Sequence, residues 1–203
     1  MTNESSDERY DAAAIFFHWV SGVLILAAIL CGWAVRLAPN LLTIHRSLGI
    51  SALVVTALRL AWRATHPAPP LPRSLPRWQQ WVAAGTHWLL YGLLFAMPVT
   101  GYVATIAGNH PATFFYLFAL PHLIAPNLAL ASLAYRTHVT LQWALYFLVG
   151  LHAAAALGHH FVIKDNVLRR ILPALPRQSP INLLRGVLAS FRHMKPGRRP
   201  APD

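Results

Sequence analysis

The chain has a single cysteine, Cys31, among its 203 residues. One thiol excludes an intrachain disulfide, an iron–sulfur cluster held by cysteine thiolates, and covalent haem attachment through a C-x-x-C-H motif. Charge is also scarce, because only 11 % of the residues are charged whereas 56 % are hydrophobic. This composition is too apolar for an ordinary soluble domain and is typical of a protein that crosses a membrane several times.

Carboxylates are the rarest charged groups, with six acidic against seventeen basic residues, and none lies inside a long apolar stretch. Their absence from the apolar stretches argues against a proton-coupled pump. No G-x-G-x-x-G motif occurs, which argues against a flavin or nicotinamide site. The net charge of +11 would suit nucleic acid, but the arginines flank the apolar stretches and form no single patch. Nucleic acid is therefore not an expected partner.

Four apolar stretches are present, and a helix needs ~20 residues to cross a bilayer. They are residues 12–35, 45–62, 82–106 and 138–163. A fifth uncharged stretch, residues 111–133, contains Pro121 and Pro126 and is predicted to belong to an outer loop over residues 107–137. The predicted fold class is all-α, an integral membrane four-helix bundle in contact with lipid.

The basic residues predict the orientation of this bundle. With four spans, Arg9, the second loop and the chain from Lys164 onward lie on one side of the membrane. The other side holds only three arginines, which are Arg36, Arg46 and Arg136. The positive-inside rule then places both termini in the cytoplasm. Residues 1–172 are predicted to form the membrane domain, and residues 173–203 a basic, proline-rich cytoplasmic tail.

Four histidines lie within or at the ends of the predicted spans. Fourteen residues separate His138 from His152, which is almost four helical turns, so both face one way about 21 Å apart. A histidine in hydrocarbon is costly and normally has a partner. Depth pairs His138 with His45 near the outer face, and His152 with His18 in the cytoplasmic half.

Two imidazoles can occupy both axial positions of one haem iron, so two pairs at two depths predict two non-covalent b haems. Such an iron has no open position for oxygen, which favours electron transfer across the bilayer. Two alternatives remain open. Each histidine taken singly is compatible with a hydrogen bond to a neighbouring helix, and the set is compatible with a histidine-lined membrane transporter.

Arg59 lies fourteen residues after His45, on the same helical face but at the depth of the inner pair. A buried arginine needs an anion, and the spans supply no carboxylate. Haem propionates would provide one in a geometry suited to guanidinium, so Arg59 is a candidate cofactor-binding residue. The alternative is a side chain that reaches back to the cytoplasmic rim.

Four sequence segments carry a family resemblance. They are RYDAAAIFFHW, HRSLGISALVVTALRLAWR, THWLLYGLLFAMPVTGY and GLHAAAALGHHFVIKDNVLRRILP. With these segments the chain resembles the prokaryotic cytochrome b561 family of diheme membrane proteins. The resemblance implies that the axial ligands are the four histidines already paired by depth, namely His18, His45, His138 and His152.

The resemblance also implies a location in the bacterial inner membrane and an oxidoreductase of the respiratory chain. Superoxide would be oxidised on the periplasmic side and electrons passed to ubiquinone. Other family members are electron-transfer subunits that serve a separate redox protein, and this alternative stays open. His87 is expected to have a structural role. For His159 and His160, a proton relay to quinone and a polar belt at the membrane interface are both open.

Overall fold

The computed structural model describes residues 9–70 and 75–173. Within those ranges the chain forms four long helices, which are α1 (Ala12–Ala34), α2 (Leu41–Thr65), α3 (Arg77–Ala107) and α4 (Leu128–Gly158). A π-helical turn, His159–Ile163, extends α4. Each helix is long and apolar enough to cross a membrane. The predicted all-α membrane bundle of four helices is therefore confirmed, whereas the predicted tail beyond Pro173 lies outside the described residues.

α1 begins at Ala12 as predicted, whereas α2, α3 and α4 begin earlier than the predicted spans. α4 begins at Leu128, ten residues before His138, because the side chain of Asn127 accepts a hydrogen bond from the N–H of Leu130 at 3.0 Å. An N-cap of this kind starts a helix wherever good helix formers follow, and LALASLA follows here. The predicted outer loop over residues 107–137 is therefore too long. His138 lies well inside α4 and not in its first turn.

The helices pack as two hairpins. α1 lies along α2, α3 lies along α4, and α2 contacts α3 to join the two pairs. Among the described residues, no Cα atom of α4 comes within 8 Å of a Cα atom of α1 or α2. Side chains alone therefore bridge α4 to the first hairpin.

The start of α1 is tied to the end of α2 through Asp11. Its carboxylate accepts hydrogen bonds from the N–H of Ala14 at 2.8 Å and from Nε1 of Trp62 at 3.1 Å. The N–H of Ala14 holds the pKa of Asp11 below its usual value. This residue therefore stabilises the helix start in its charged form, which is the form present at neutral pH.

A short β-hairpin covers the opposite end of the bundle. Its strands are β1 (Thr113–Phe114) and β2 (Phe118–Ala119), and residues 115–117 join them. The first two of these have positive φ, Phe115 at 45° and Tyr116 at 62°, and the N–H of Leu117 donates to the carbonyl of Phe114 at 2.8 Å. Two successive left-handed residues are typical of the turns that join hairpin strands. The fully buried hydroxyl of Ser47 accepts a 2.7 Å hydrogen bond from the N–H of Phe115. The hairpin is thereby anchored two residues beyond His45.

The chain returns to the start of α1 after the π-helical turn. Lys164 ends that turn in the left-handed conformation, with φ at 59°. The carbonyl of Arg170 then accepts from the N–H of Tyr10 at 3.2 Å, and the carbonyl of Ile171 accepts from Nε1 of Trp19 at 2.8 Å. The N-terminal end of α1 and the C-terminal end of α4 therefore lie at the same end of the bundle.

Candidate functional site

Two pairs of imidazoles lie between the hairpins. His45 from α2 faces His138 from α4, with 6.1 Å between the ring centroids and 85° between the ring planes. His18 from α1 faces His152 from α4, also with 6.1 Å between centroids and with 62° between planes. The structure thus brings together the same pairs that depth predicts from the sequence. We call His45 and His138 the outer pair, and His18 and His152 the inner pair.

The separation of the rings fits one iron between each pair. A bond from a metal to an imidazole nitrogen is about 2.0 Å long, and the ring centroid lies about 1 Å beyond that nitrogen. Two imidazoles on opposite sides of one iron therefore have centroids about 6 Å apart. Both pairs match this distance. The backbone of α4 stands clear of α1 and α2 at the same place, which leaves room for a porphyrin.

The rings of the outer pair are fixed by backbone carbonyls. Nδ1 of His45 lies 2.7 Å from the carbonyl oxygen of Ala28, and Nδ1 of His138 lies 2.8 Å from that of Met97. A carbonyl oxygen only accepts, so each Nδ1 carries the proton and donates it. This tautomer leaves a lone pair on Nε2, the nitrogen that would bind iron.

Two glycines form cradles for the same rings. A Cβ atom at Gly32 would lie 3.0 Å from Cε1 of His45, and one at Gly101 would lie 3.2 Å from Cε1 of His138. Gly32 follows Ala28 by four residues, as Gly101 follows Met97. Each hairpin therefore repeats one arrangement, in which a histidine lies against a carbonyl and a glycine one helical turn apart. The two glycines therefore leave space for histidine rings that are held in one fixed orientation.

These two glycines do not stand out in the sequence. A glycine inside a helix costs about 1 kcal/mol relative to alanine, which is a signal for a special role. The signal is ambiguous in this chain, because Gly22, Gly92 and Gly150 are also inside helices and have no atom within 4 Å of an added Cβ. Only the contact across to the neighbouring helix distinguishes Gly32 and Gly101.

Arg59 and Tyr91 interact near the inner pair. The guanidinium carbon of Arg59 lies 5.5 Å from the centroid of the Tyr91 ring, within the range of a cation–π interaction. Arg59 is half-buried, and the described residues give it no carboxylate partner. Its charge is therefore available to an anion such as a haem propionate, the role predicted from the sequence.

The arginine closest to the outer pair in sequence, Arg46, has a partner in the outer loop. Its Nη1 donates to the carbonyl of Pro111 at 3.2 Å. This contact holds the loop against the start of α2 and leaves the positive charge of Arg46 unneutralised. The outer end of the bundle therefore carries a fixed positive charge next to His45.

The π-helical turn carries two more histidines. Nδ1 of His159 lies 2.6 Å from Oδ2 of Asp165, while Nδ1 of His160 is buried and has no hydrogen-bond partner in the described part of the chain. Single π-helical turns, which occur mostly inside α-helices, are frequent at functional sites. His159 and His160 lie at the same end of the bundle as the inner pair, and His159 contacts the half-buried carboxylate of Asp165.

Residues 9–174 match the family model described as prokaryotic cytochrome b561. The chain belongs to this family. Cytochrome b561 homolog 2 of Escherichia coli (strain K12) is 34 % identical over 183 residues, which are 85 % of this chain and 95 % of that protein. A Yersinia pestis protein named Probable superoxide oxidase CybB is 34 % identical over 172 residues, covering 82 % and 97 %. Cytochrome b562 of Cereibacter sphaeroides is 27 % identical over 179 residues, covering 83 % and 98 %.

Membership of the cytochrome b561 family gives the general function. The chain is a haem b protein of electron transport, and its four apolar helices make it a multi-pass protein of the bacterial inner membrane. The protein is therefore surrounded by lipid. The family resemblance predicted from the sequence is confirmed.

Proposed function

We propose that this cytochrome b561 binds two b haems, oxidises superoxide at its periplasmic end and reduces ubiquinone. The proposal rests on the two imidazole pairs, each with 6.1 Å between the ring centroids. Their ligands on α4, His138 and His152, are fourteen residues apart, or about 21 Å along the helix. This spacing suits one site near each membrane face.

The four histidines are proposed as the axial ligands. Haem b, when bound, supplies an iron couple that accepts and releases one electron at a time. The carbonyls of Ala28 and Met97 keep Nδ1 of the outer ligands protonated and so present Nε2 to the iron. Held by two imidazoles each, the haem irons would have no position open to oxygen, so these residues favour electron transfer over oxygen binding.

The proposed electron donor is superoxide, and its charge suits the outer end of the bundle. Arg46 lies next to His45, and Arg36 and Arg136 belong to the same end. Fixed positive charge raises the local concentration of a small anion and its association rate. The name of the Yersinia pestis relative supports the same donor. With superoxide oxidised at the periplasmic face, both termini and the end of the bundle with more basic residues lie on the cytoplasmic side, in agreement with the positive-inside rule.

The proposed acceptor is ubiquinone near the inner pair. Two superoxide anions release two electrons and become two molecules of oxygen, while one ubiquinone takes up two electrons and two protons. The protons need a path, and His159 with Asp165 is a titratable pair at the correct end of the bundle. Arg59 is proposed to bind a propionate of the inner haem.

We expect Asp165→Asn to slow quinone reduction by about tenfold or more, within the range seen for lost general acid–base groups. Haem content and the visible spectrum should stay unchanged, because Asp165 contacts His159 and neither histidine of the inner pair. Stopped-flow measurement of quinol formation in proteoliposomes tests this. Asp11→Asn is the matched control, since it removes a carboxylate at the same end but keeps a side chain that caps α1. Equal slowing in both variants would contradict the proposed relay.

The alternative is a subunit that receives electrons from a separate redox protein. The β-hairpin favours it, because this loop stands beside His45 and exposes Leu117 by 77 % and Phe118 by 56 %. Such side chains are frequent where one protein docks on another. In this case the same haems would be reduced through a protein interface instead of by a small anion.

A single assay separates the two functions. Purified protein in proteoliposomes with ubiquinone receives superoxide from an enzymatic source on one side. If superoxide is the donor, quinol forms and superoxide disappears at a rate proportional to the protein, at two superoxide per quinol. The control is His152→Ala protein at the same concentration. If wild-type protein is reduced by dithionite yet leaves superoxide consumption at the level of empty vesicles, the superoxide proposal is wrong and the subunit function takes its place.

A further inference from the structure

A third imidazole stands beside the inner pair. His87, on α3, has its ring centroid 5.3 Å from that of His152, with 74° between the planes. This distance is shorter than the 6.1 Å between the rings of each pair. Two imidazoles joined by an N–H···N hydrogen bond of about 2.9 Å have centroids about 5 Å apart. The separation of His87 from His152 therefore fits direct contact and is too short for a metal between the two rings.

A hydrogen bond across this contact would supply what His152 otherwise lacks. Both rings of the outer pair donate Nδ1–H to a backbone carbonyl. Within residues 9–70 and 75–173, the ring of His152 has no hydrogen bond to a carbonyl, and His87 is the ring beside it on α3. The same helix provides Met97, whose carbonyl orients His138. Thus α3 contacts both ligands that α4 contributes, once through its backbone and once through a side chain.

A metal-bound histidine normally donates its second ring N–H to an acceptor. That hydrogen bond fixes the tautomer and the ring plane, and it makes the ligand more basic. A more basic axial ligand stabilises ferric iron more than ferrous iron, so it lowers the reduction potential of the haem.

We propose that His87 is a positioning residue for His152. Its ring accepts a hydrogen bond from the ring N–H of His152. This hydrogen bond sets the reduction potential of the inner haem below the value that an unsupported ligand would give. The proposal rests on the ligand role of His152 proposed above. It assigns the two haems different supports, since a backbone carbonyl holds each outer ligand and a side chain holds His152. The potential of the inner haem can therefore be changed by a point substitution that leaves the outer haem untouched.

The test compares two substitutions of His87 by redox titration and by the low-temperature electron paramagnetic resonance signals of the ferric haems. His87→Phe keeps an aromatic ring against His152 but removes the acceptor, whereas His87→Gln keeps an acceptor. We expect Phe to raise the ferrous-to-ferric ratio of the inner haem about tenfold at a given potential, which is about 59 mV for one electron. Gln should stay much closer to wild type, and the outer haem should not change in either. Trp88→Phe, at the neighbouring exposed position, is the control.

Each outcome has one meaning. A shift with Phe that Gln rescues supports the proposal, and so does loss of the inner haem in Phe alone. Equal shifts in Phe and Gln, or loss of the inner haem in both, would show that packing matters and not the hydrogen bond, which overturns the proposal. An unchanged inner potential and signal in Phe also overturns it. Failure of the proposed function itself is seen separately, because wild-type protein would then lack the inner haem.

Discussion

Replacing His152 by alanine is expected to lower the haem content of the purified protein from about two to about one per chain. The side chain faces His18 across 6.1 Å and shares its iron in our proposal. Its loss removes one of two axial bonds, and solvent or lipid cannot replace an imidazole held by the fold. The measurement is pyridine haemochromogen absorbance divided by protein concentration, together with the reduced-minus-oxidised spectrum.

The pairing makes this prediction more specific. His18→Ala should reproduce the spectrum of His152→Ala, whereas His138→Ala and His45→Ala should both remove the other haem. The double variant of His18 and His152 should lose no more haem than either single variant, because residues that act as one unit are not additive.

A matched control for these ligand substitutions is His66→Ala. The ring centroid of His66 lies 3.8 Å from that of Trp62 at the end of α2, and its ring belongs to neither pair, so this variant should keep both haems. Retention of both haems by His152→Ala, or loss of haem from His66→Ala to the same degree, would contradict the ligand assignment.

Replacing Gly32 by valine should remove the outer haem although no proposed ligand is substituted. The first added carbon would lie 3.0 Å from Cε1 and 3.1 Å from Nδ1 of His45. The ring of His45 cannot move away freely, because its Nδ1 is hydrogen-bonded to the carbonyl of Ala28, which is on α1 with Gly32. A displaced ring points its Nε2 away from the iron. We therefore expect the haem content to fall to about one per chain, with the spectrum of the outer haem missing.

The glycines offer their own controls. Gly22 lies on the same helix as Gly32 and has no atom within 4 Å of an added Cβ, so Gly22→Val should keep both haems. On α3, Gly101→Val should repeat the loss because of its contact with His138, whereas Gly92→Val should not. If Gly22→Val lost haem as Gly32→Val does, or Gly92→Val as Gly101→Val does, the loss would be due to a valine inside the helix and not to the histidine contact.

Much of the fold follows from features that are local in the sequence. Four apolar stretches with flanking basic residues predict four membrane helices, since the length of each stretch matches the bilayer. The fourteen-residue interval between His138 and His152 predicts two sites on one face of α4, because helical periodicity is a property of a single segment. Over residues 9–70 and 75–173 the structure has four long helices, and it places the four rings in the same two pairs.

Other features depend on neighbours that a single segment does not specify. The start of α4 at Leu128 was missed, because hydropathy reports only the apolar part of a helix and the cap at Asn127 lies beyond it. The fit of Gly32 to His45 and the contact of His87 with His152 each join residues on different helices. Their pairing depends on how far the helices are rotated and shifted against each other, which the period of one helix leaves open.

The most direct test of two bis-histidine haems in this chain is the haem content and coordination of the wild-type protein. Pyridine haemochromogen quantitation, with low-temperature electron paramagnetic resonance of the oxidised protein, measures both at once. We predict about two b haems per chain, all six-coordinate and low-spin in the ferric state. A single haem per chain, or a high-spin five-coordinate signal from either site, would contradict the arrangement proposed for His18, His45, His138 and His152.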